Sequence, residues 1–156
     1  MLLNGDFESG QLTPWFASSG GPWITMDESH SGVYCAAGYA GDAIRQDFSP
    51  IATADISEVS IWIKREGGAF NSYSFFYDDG TADGYLINNI GGGDGWLMYE
   101  MTQNLVVGKN LVGFQIYGTS AGPSYMDDVR IEGVPAPAAL AVMGIAGLAG
   151  GRRRRR

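Results

Sequence analysis

Val59-Ser-Ile-Trp-Ile-Lys64 alternates with a period of two, the spacing of a strand with one face buried. Val59, Ile61 and Ile63 share the inward face, while Ser60, Trp62 and Lys64 share the other, so Trp62 points away from the core. The same period recurs on both sides of this stretch. Candidate strands fall at 15–18, 23–27, 34–39, 43–48, 58–64, 73–77, 85–90, 96–102, 111–117 and 125–132. Explicit turns part them: Gly20-Gly-Pro22, Gly67-Gly68, Asp78-Asp-Gly80, Gly91-Gly-Gly-Asp-Gly95, Gly108-Lys-Asn110 and Gly122-Pro123. No window before residue 134 has helical periodicity. Short strands at such even spacing imply an all-β antiparallel sandwich or barrel.

Composition agrees. Gly is frequent (24 residues) and aromatics make up 12%, which suits strands and turns better than helices. All 17 acidic residues precede residue 134, against five basic ones (Arg45, Lys64, Arg65, Lys109, Arg130), so this body carries about −12 while the whole chain carries −7. A body so acidic repels phosphate backbones and excludes nucleic acid as a partner. A single cysteine, Cys35, rules out an internal disulfide and reads as a small apolar packing residue.

The ends of the body carry motifs. It opens with Asn4-Gly-Asp-Phe-Glu8, continues through Pro14-Trp15 and His30-Ser-Gly32, and closes with Tyr125-Met-Asp-Asp-Val129. This order resembles the jelly-roll carbohydrate-binding modules of families 4, 9 and 22, in the galactose-binding-domain-like group, and spans nearly all of residues 2–133. The resemblance implies a jelly-roll β-sandwich and a structural calcium ion held by the Asp6 carbonyl, the Glu8 carboxylate and Asp127, with a carbonyl from 31–33. His30 stands where some members supply a carboxylate. Six or more hard oxygens are what calcium needs, and two acidic clusters at opposite chain ends meet when the first and last strands are neighbours.

Sugar binding in such modules rests on aromatic faces and a few polar groups. The outward set of 59–64 supplies Trp62 and Lys64. On the strand from Leu111, Val112, Phe114 and Ile116 read as core while Gly113, Gln115 and Tyr117 face away. Gln115 falls where related modules place a polar ligand contact. Trp62, Lys64, Gln115 and Tyr117, with Tyr73 or Tyr85, then line one concave face that holds extracellular polysaccharide. Trp15 and Trp96 read as core aromatics, and Trp23 as either.

After the body come Val134-Pro-Ala-Pro137, an uncharged segment from 138 to 151, and five arginines, 152–156. Fourteen residues cover roughly 21 Å as a helix, and a terminal arginine block holds its end in the cytoplasm. The tail resembles the PEP-CTERM sorting signal of Gram-negative bacteria, with Ala136 where that family has Glu. The resemblance implies a short hydrophobic helix, an inner-membrane-anchored precursor, an exosortase-type membrane protease as partner, and delivery to the cell surface or extracellular matrix. Val134, Pro135, Pro137, Arg152, Arg153 and Arg154 carry the motif. A sorting tail also implies an export signal upstream of Met1.

Catalysis finds little support. His30 is the one imidazole, too few for nucleophilic or zinc chemistry. The adjacent carboxylates Asp78-Asp79 and Asp127-Asp128 are expected on opposite strand faces, and the run 78–84 reads as a hairpin turn. The sequence therefore reads as a non-catalytic, calcium-stabilised, exported carbohydrate-binding module. The alternatives are a matrix protein without a glycan groove and, third, a small glycan-active enzyme.

Overall fold

The computed structural model describes residues 2–65, 70–87, 95–118 and 122–134. Ten strands form two antiparallel five-stranded sheets packed as a sandwich, a jelly-roll arrangement. The strands are β1 (Phe16–Ser19), β2 (Trp23–Thr25), β3 (Cys35–Gly38), β4 (Ala43–Ala52), β5 (Ile56–Arg65), β6 (Phe70–Tyr77), β7 (Ala82–Leu86), β8 (Trp96–Glu100), β9 (Asn110–Gly118) and β10 (Ser124–Gly133). One sheet, sheet A, runs β1-β4-β9-β6-β7, and the other, sheet B, runs β2-β3-β10-β5-β8.

Alternation places the core as expected. Val59, Ile61 and Ile63 on β5 are buried against Tyr73 and Phe75 on β6, Phe114 and Ile116 on β9, and Met126 on β10. Burying each such side chain contributes about 1.5–3 kcal/mol. Phe7 and Trp15 close one end, with Trp15 edge-on to Phe114 at 6.4 Å and its indole N–H donating to the Asn4 carbonyl at 2.9 Å. The N-terminal segment straps both sheets. Leu3 exchanges two backbone bonds with the buried Gln46 amide, each 2.8 Å, and the Val129 N–H donates to the Gly5 carbonyl at 2.9 Å.

Three expectations need correction. Leu111, not Val112, joins the core, because β9 pairs Leu111 with Tyr77 and Gly113 with Phe76, leaving Val112 as an extra residue that shifts the register. Tyr73 is 1% exposed and Tyr85 packs on the same core with its hydroxyl on the Asn104 carbonyl, so neither can line an outer face. Trp96 lies on the outer face of sheet B and not in the core, and there it and Trp23 flank a second cluster of Cys35, Ala37 and Tyr125. Burial pushes the Cys35 thiol up to about 12, so it stays protonated at neutral pH.

Among the described residues no helix is long and apolar enough to cross a membrane. Of the tail, Val134 is described and half-exposed; Pro135, Pro137, the expected hydrophobic helix and Arg152, Arg153 and Arg154 lie outside the described residues.

Candidate functional site

Trp62 and Lys64 do leave the core, but onto a covered face. Residues 26–34 cross the outside of sheet B. There His30 stacks on Trp62 with ring centroids 3.7 Å apart and planes 15° apart, and meets Trp96 edge-on at 5.7 Å. Lys64 Nζ pairs with Glu28 Oε2 at 2.5 Å, and the Cys35 thiol donates to the Glu28 carbonyl.

Two carboxylates from the chain ends pin this crossing segment. Asp127, fully buried, accepts from the N–H groups of His30 (2.9 Å) and Ser31 (3.1 Å) through Oδ2 and of Asp128 (2.7 Å) through Oδ1. Glu8 Oε1 accepts from Val33 and Tyr34, both at 2.8 Å. Gly32 between them has φ +61°, and a Cβ there would overlap the Glu8 carboxylate, so only glycine lets the segment close over it. Burial pushes the Asp127 carboxyl up to about 6, although its three N–H bonds pull the other way. The two residues Asp128 and Val129 stand opposite one residue of β5, since Asp127 pairs with Trp62 and Arg130 with Ser60. This bulge, with Asp128 at φ +45°, breaks the alternation expected of Asp127-Asp128. Both carboxylates reach His30, whose Nδ1 lies 2.7 Å from Asp128 Oδ2.

Glu8 and Asp127 thus both bond the loop 30–34, and Asp6 lies two residues from Glu8, its carboxylate accepting from the Glu8 N–H at 3.4 Å. The carboxylate oxygens that meet the loop face N–H donors. Among the described residues no three His, Cys, Asp or Glu side chains gather so as to hold a metal ion.

Gln115 and Tyr117 lie on the opposite side of the molecule. β9 belongs to sheet A and β5 to sheet B, so Trp62 and Lys64 share no face with Gln115 and Tyr117. Alternation cannot reveal this, because it tells inside from outside and not which of two outsides. On the outer face of sheet A, Arg45, Gln115 and Ser74 stand side by side on β4, β9 and β6. Next to them are Tyr117 and Ser72 in one direction, Asp47, Gly113 and Phe76 in the other, and the exposed Phe16 opposite Arg45. Gln115 is 6% exposed although it points outward. Its amide has no hydrogen-bond partner among the described residues, yet it is not sealed from solvent. A polar group at the floor of an open face, reachable by solvent, is free to bond an outside partner in place of water. The sequence missed Arg45, whose guanidinium lies 3.7 Å from the Phe76 ring centroid; the signal was the alternation of 43–48, which puts Arg45 and Asp47 on the face opposite Ile44.

A groove of about 340 Å³ opens elsewhere, between the N-terminal segment and β10, beside Asn4, Asp6, Asp128 and Arg130. It has no aromatic wall, so the candidate site is sheet A.

No family model matches the sequence, and no curated protein matches it. Solved structures do. TmCBM61 in complex with beta-1,4-galactotriose is similar at TM-score 0.59 and 17% identity, over 85% of this chain and 97% of that one. The sandwich has the fold of carbohydrate-binding modules. A second family 16 carbohydrate-binding module is similar at TM-score 0.58 and 12% identity, over 83% and 97%. A family 22 module from Clostridium thermocellum Xyn10B is similar at 0.56 and 12%, over 86% and 97%. The enzymatically active domain of a bacteriophage CBA120 tailspike is also similar, at 0.56 and 18%, but the chain spans only 21% of it. These similar modules are units of about this chain's length.

Proposed function

We propose that the chain is a non-catalytic polysaccharide-binding module whose ligand lies on the outer face of sheet A. The observation that carries this is Gln115, an outward, nearly buried side chain whose amide has no partner among the described residues, set among Arg45, Tyr117 and Phe76. Such a floor suits a pyranose: ring C–H groups meet aromatic surface, and hydroxyls bond the amide and guanidinium. The similar structures include a module holding beta-1,4-galactotriose, which supports the ligand class without fixing the sugar. Trp62 and Lys64, expected in the site, are here part of the covered side.

Affinity electrophoresis of the full chain on a polysaccharide panel tests the reading. Wild type should be retarded by at least one polysaccharide. Gln115→Ala and Tyr117→Ala should lose the retardation and Trp62→Ala should keep it. If wild type and Gln115→Ala migrate alike on every polysaccharide, the site is wrong.

Export to the cell surface or extracellular matrix, with an exosortase-type protease and the inner membrane as partners, is proposed on the tail's resemblance alone. Fractionation of a tagged full-length protein decides it, and a purely cytosolic protein would remove it. Structural calcium at Asp6, Glu8 and Asp127 is a further proposal, supported by the meeting of Glu8 and Asp127 on one loop. Free carboxylate lone pairs beyond the N–H bonds would hold the ion.

A further inference from the structure

The outer face of sheet A carries two charges among its described residues, and they cancel. Arg45 on β4 stands opposite Gln115 on β9, and its guanidinium reaches across β9 to lie 3.7 Å over the centre of Phe76 on β6. It can cross because the neighbouring position on β9 is Gly113. Arg45 Nε donates to Asp47 Oδ1 at 2.6 Å. Asp47 is itself opposite Gly113, and a Cβ at Gly113 would come within 2.6 Å of that same Oδ1. Glycine at 113 is therefore what lets carboxylate, guanidinium and ring meet. No other outward position described on β1, β4, β9, β6 or β7 carries a charge.

An arginine held over a ring presents its remaining N–H groups as a fork, and such a fork favours a carboxylate. Unopposed, Arg45 would suit a uronic acid. Asp47 changes this in two ways. It cancels the charge that would attract a uronate, and it adds an acceptor beside the donors of Arg45 and Gln115. Only a group that donates and accepts at once satisfies such a mixed set. A sugar hydroxyl does so; a carboxylate can only accept. The acidic body, at about −12, adds to the repulsion of polyanions.

We infer that Asp47, seated by Gly113 against Arg45, is the specificity residue of this face and restricts it to uncharged glycans. The inference rests on the polysaccharide-binding reading above. The test is affinity electrophoresis of the full chain at low ionic strength on neutral polysaccharides (galactan, xylan, glucan) and on polygalacturonate. Wild type should be retarded by a neutral polymer and not by polygalacturonate. Asp47→Asn should gain polygalacturonate retardation, with an apparent affinity about tenfold higher than wild type for the loss of one nearby like charge. Gly113→Ala, which crowds Asp47 away from Arg45, should shift in the same direction. Arg45→Ala added to Asp47→Asn should abolish the gain, and melting curves check that each variant is folded. Polygalacturonate binding by wild type equal to its neutral binding, or an Asp47→Asn variant unchanged on polygalacturonate, overturns the assignment of Asp47 and leaves the glycan reading intact. A wild type retarded by no polysaccharide at all removes the glycan reading, and this inference falls with it.

Discussion

The two outer faces of this sandwich start from the same kind of strand and end differently. β5 and β9 each point polar and aromatic side chains away from the core, yet Trp62 on β5 is stacked beneath His30, while Gln115 on β9 has no partner for its amide among the described residues. The difference comes from one crossing segment, 26–34, and from the two chain-end carboxylates that tether it. An aromatic pointing outward from a strand is therefore no sign of a ligand by itself. What distinguishes the open face is polar capacity left unused at its floor.

The sharpest way to break the contrast is to cut a tether. Asp127→Ala leaves three N–H groups without their acceptor, and should cost about 3 kcal/mol or more, read as a lower urea midpoint. The same residue makes the tether sensitive to pH. Its carboxyl is raised from 3.8 to about 6 in the folded protein, so the native state holds the proton more tightly than the unfolded one. Its contribution favours folding fully below about pH 4 and is lost as pH rises through 6. Over that window, wild type should lose up to about 3 kcal/mol of relative stability that Asp127→Asn does not lose, measured as the difference between their urea midpoints at pH 4 and 7. Trp62→Ala should cost about 2 kcal/mol through lost burial and the lost His30 stack, with polysaccharide retardation unchanged. Should Trp62→Ala abolish binding at unchanged stability, the faces have been assigned the wrong way round. Gln115→Ala should leave stability within about 0.5 kcal/mol and remove retardation. For calcium, the melting temperature with and without chelator measures whether an ion reinforces the tether; a filled site adds roughly 3 kcal/mol at a hundredfold excess over its Kd.

Much of the sandwich was legible because it rests on local pattern. Val59, Ile61 and Ile63 alternate, and glycine, proline and aspartate mark the turns, so all ten strands appear near their expected places. Two bulges spoiled parity. At Val112 one added residue moved Leu111 inward, and at Asp128 a left-handed residue brought two adjacent carboxylates to one side. Nothing in a single sequence announces either. The proposed site was half legible. Gln115 and Tyr117 were found on the open face, but Trp62 and Lys64 were assigned to it because sheet membership is a long-range property. Arg45 and Asp47 were passed over because their importance depends on Gly113, in a strand more than sixty residues away. His30, read as standing where some members supply a carboxylate, is the ring that closes off Trp62.

β10 is the central strand of its sheet, between β3 and β5, and among the described residues it is also the last strand in chain order. Until residue 133 has emerged from the ribosome, the partners of β10 have nothing to join, and the strap from Gly5 has no Val129 to grip. Until then sheet B stands as two halves, β2-β3 and β5-β8, and β10 is the strand that joins them.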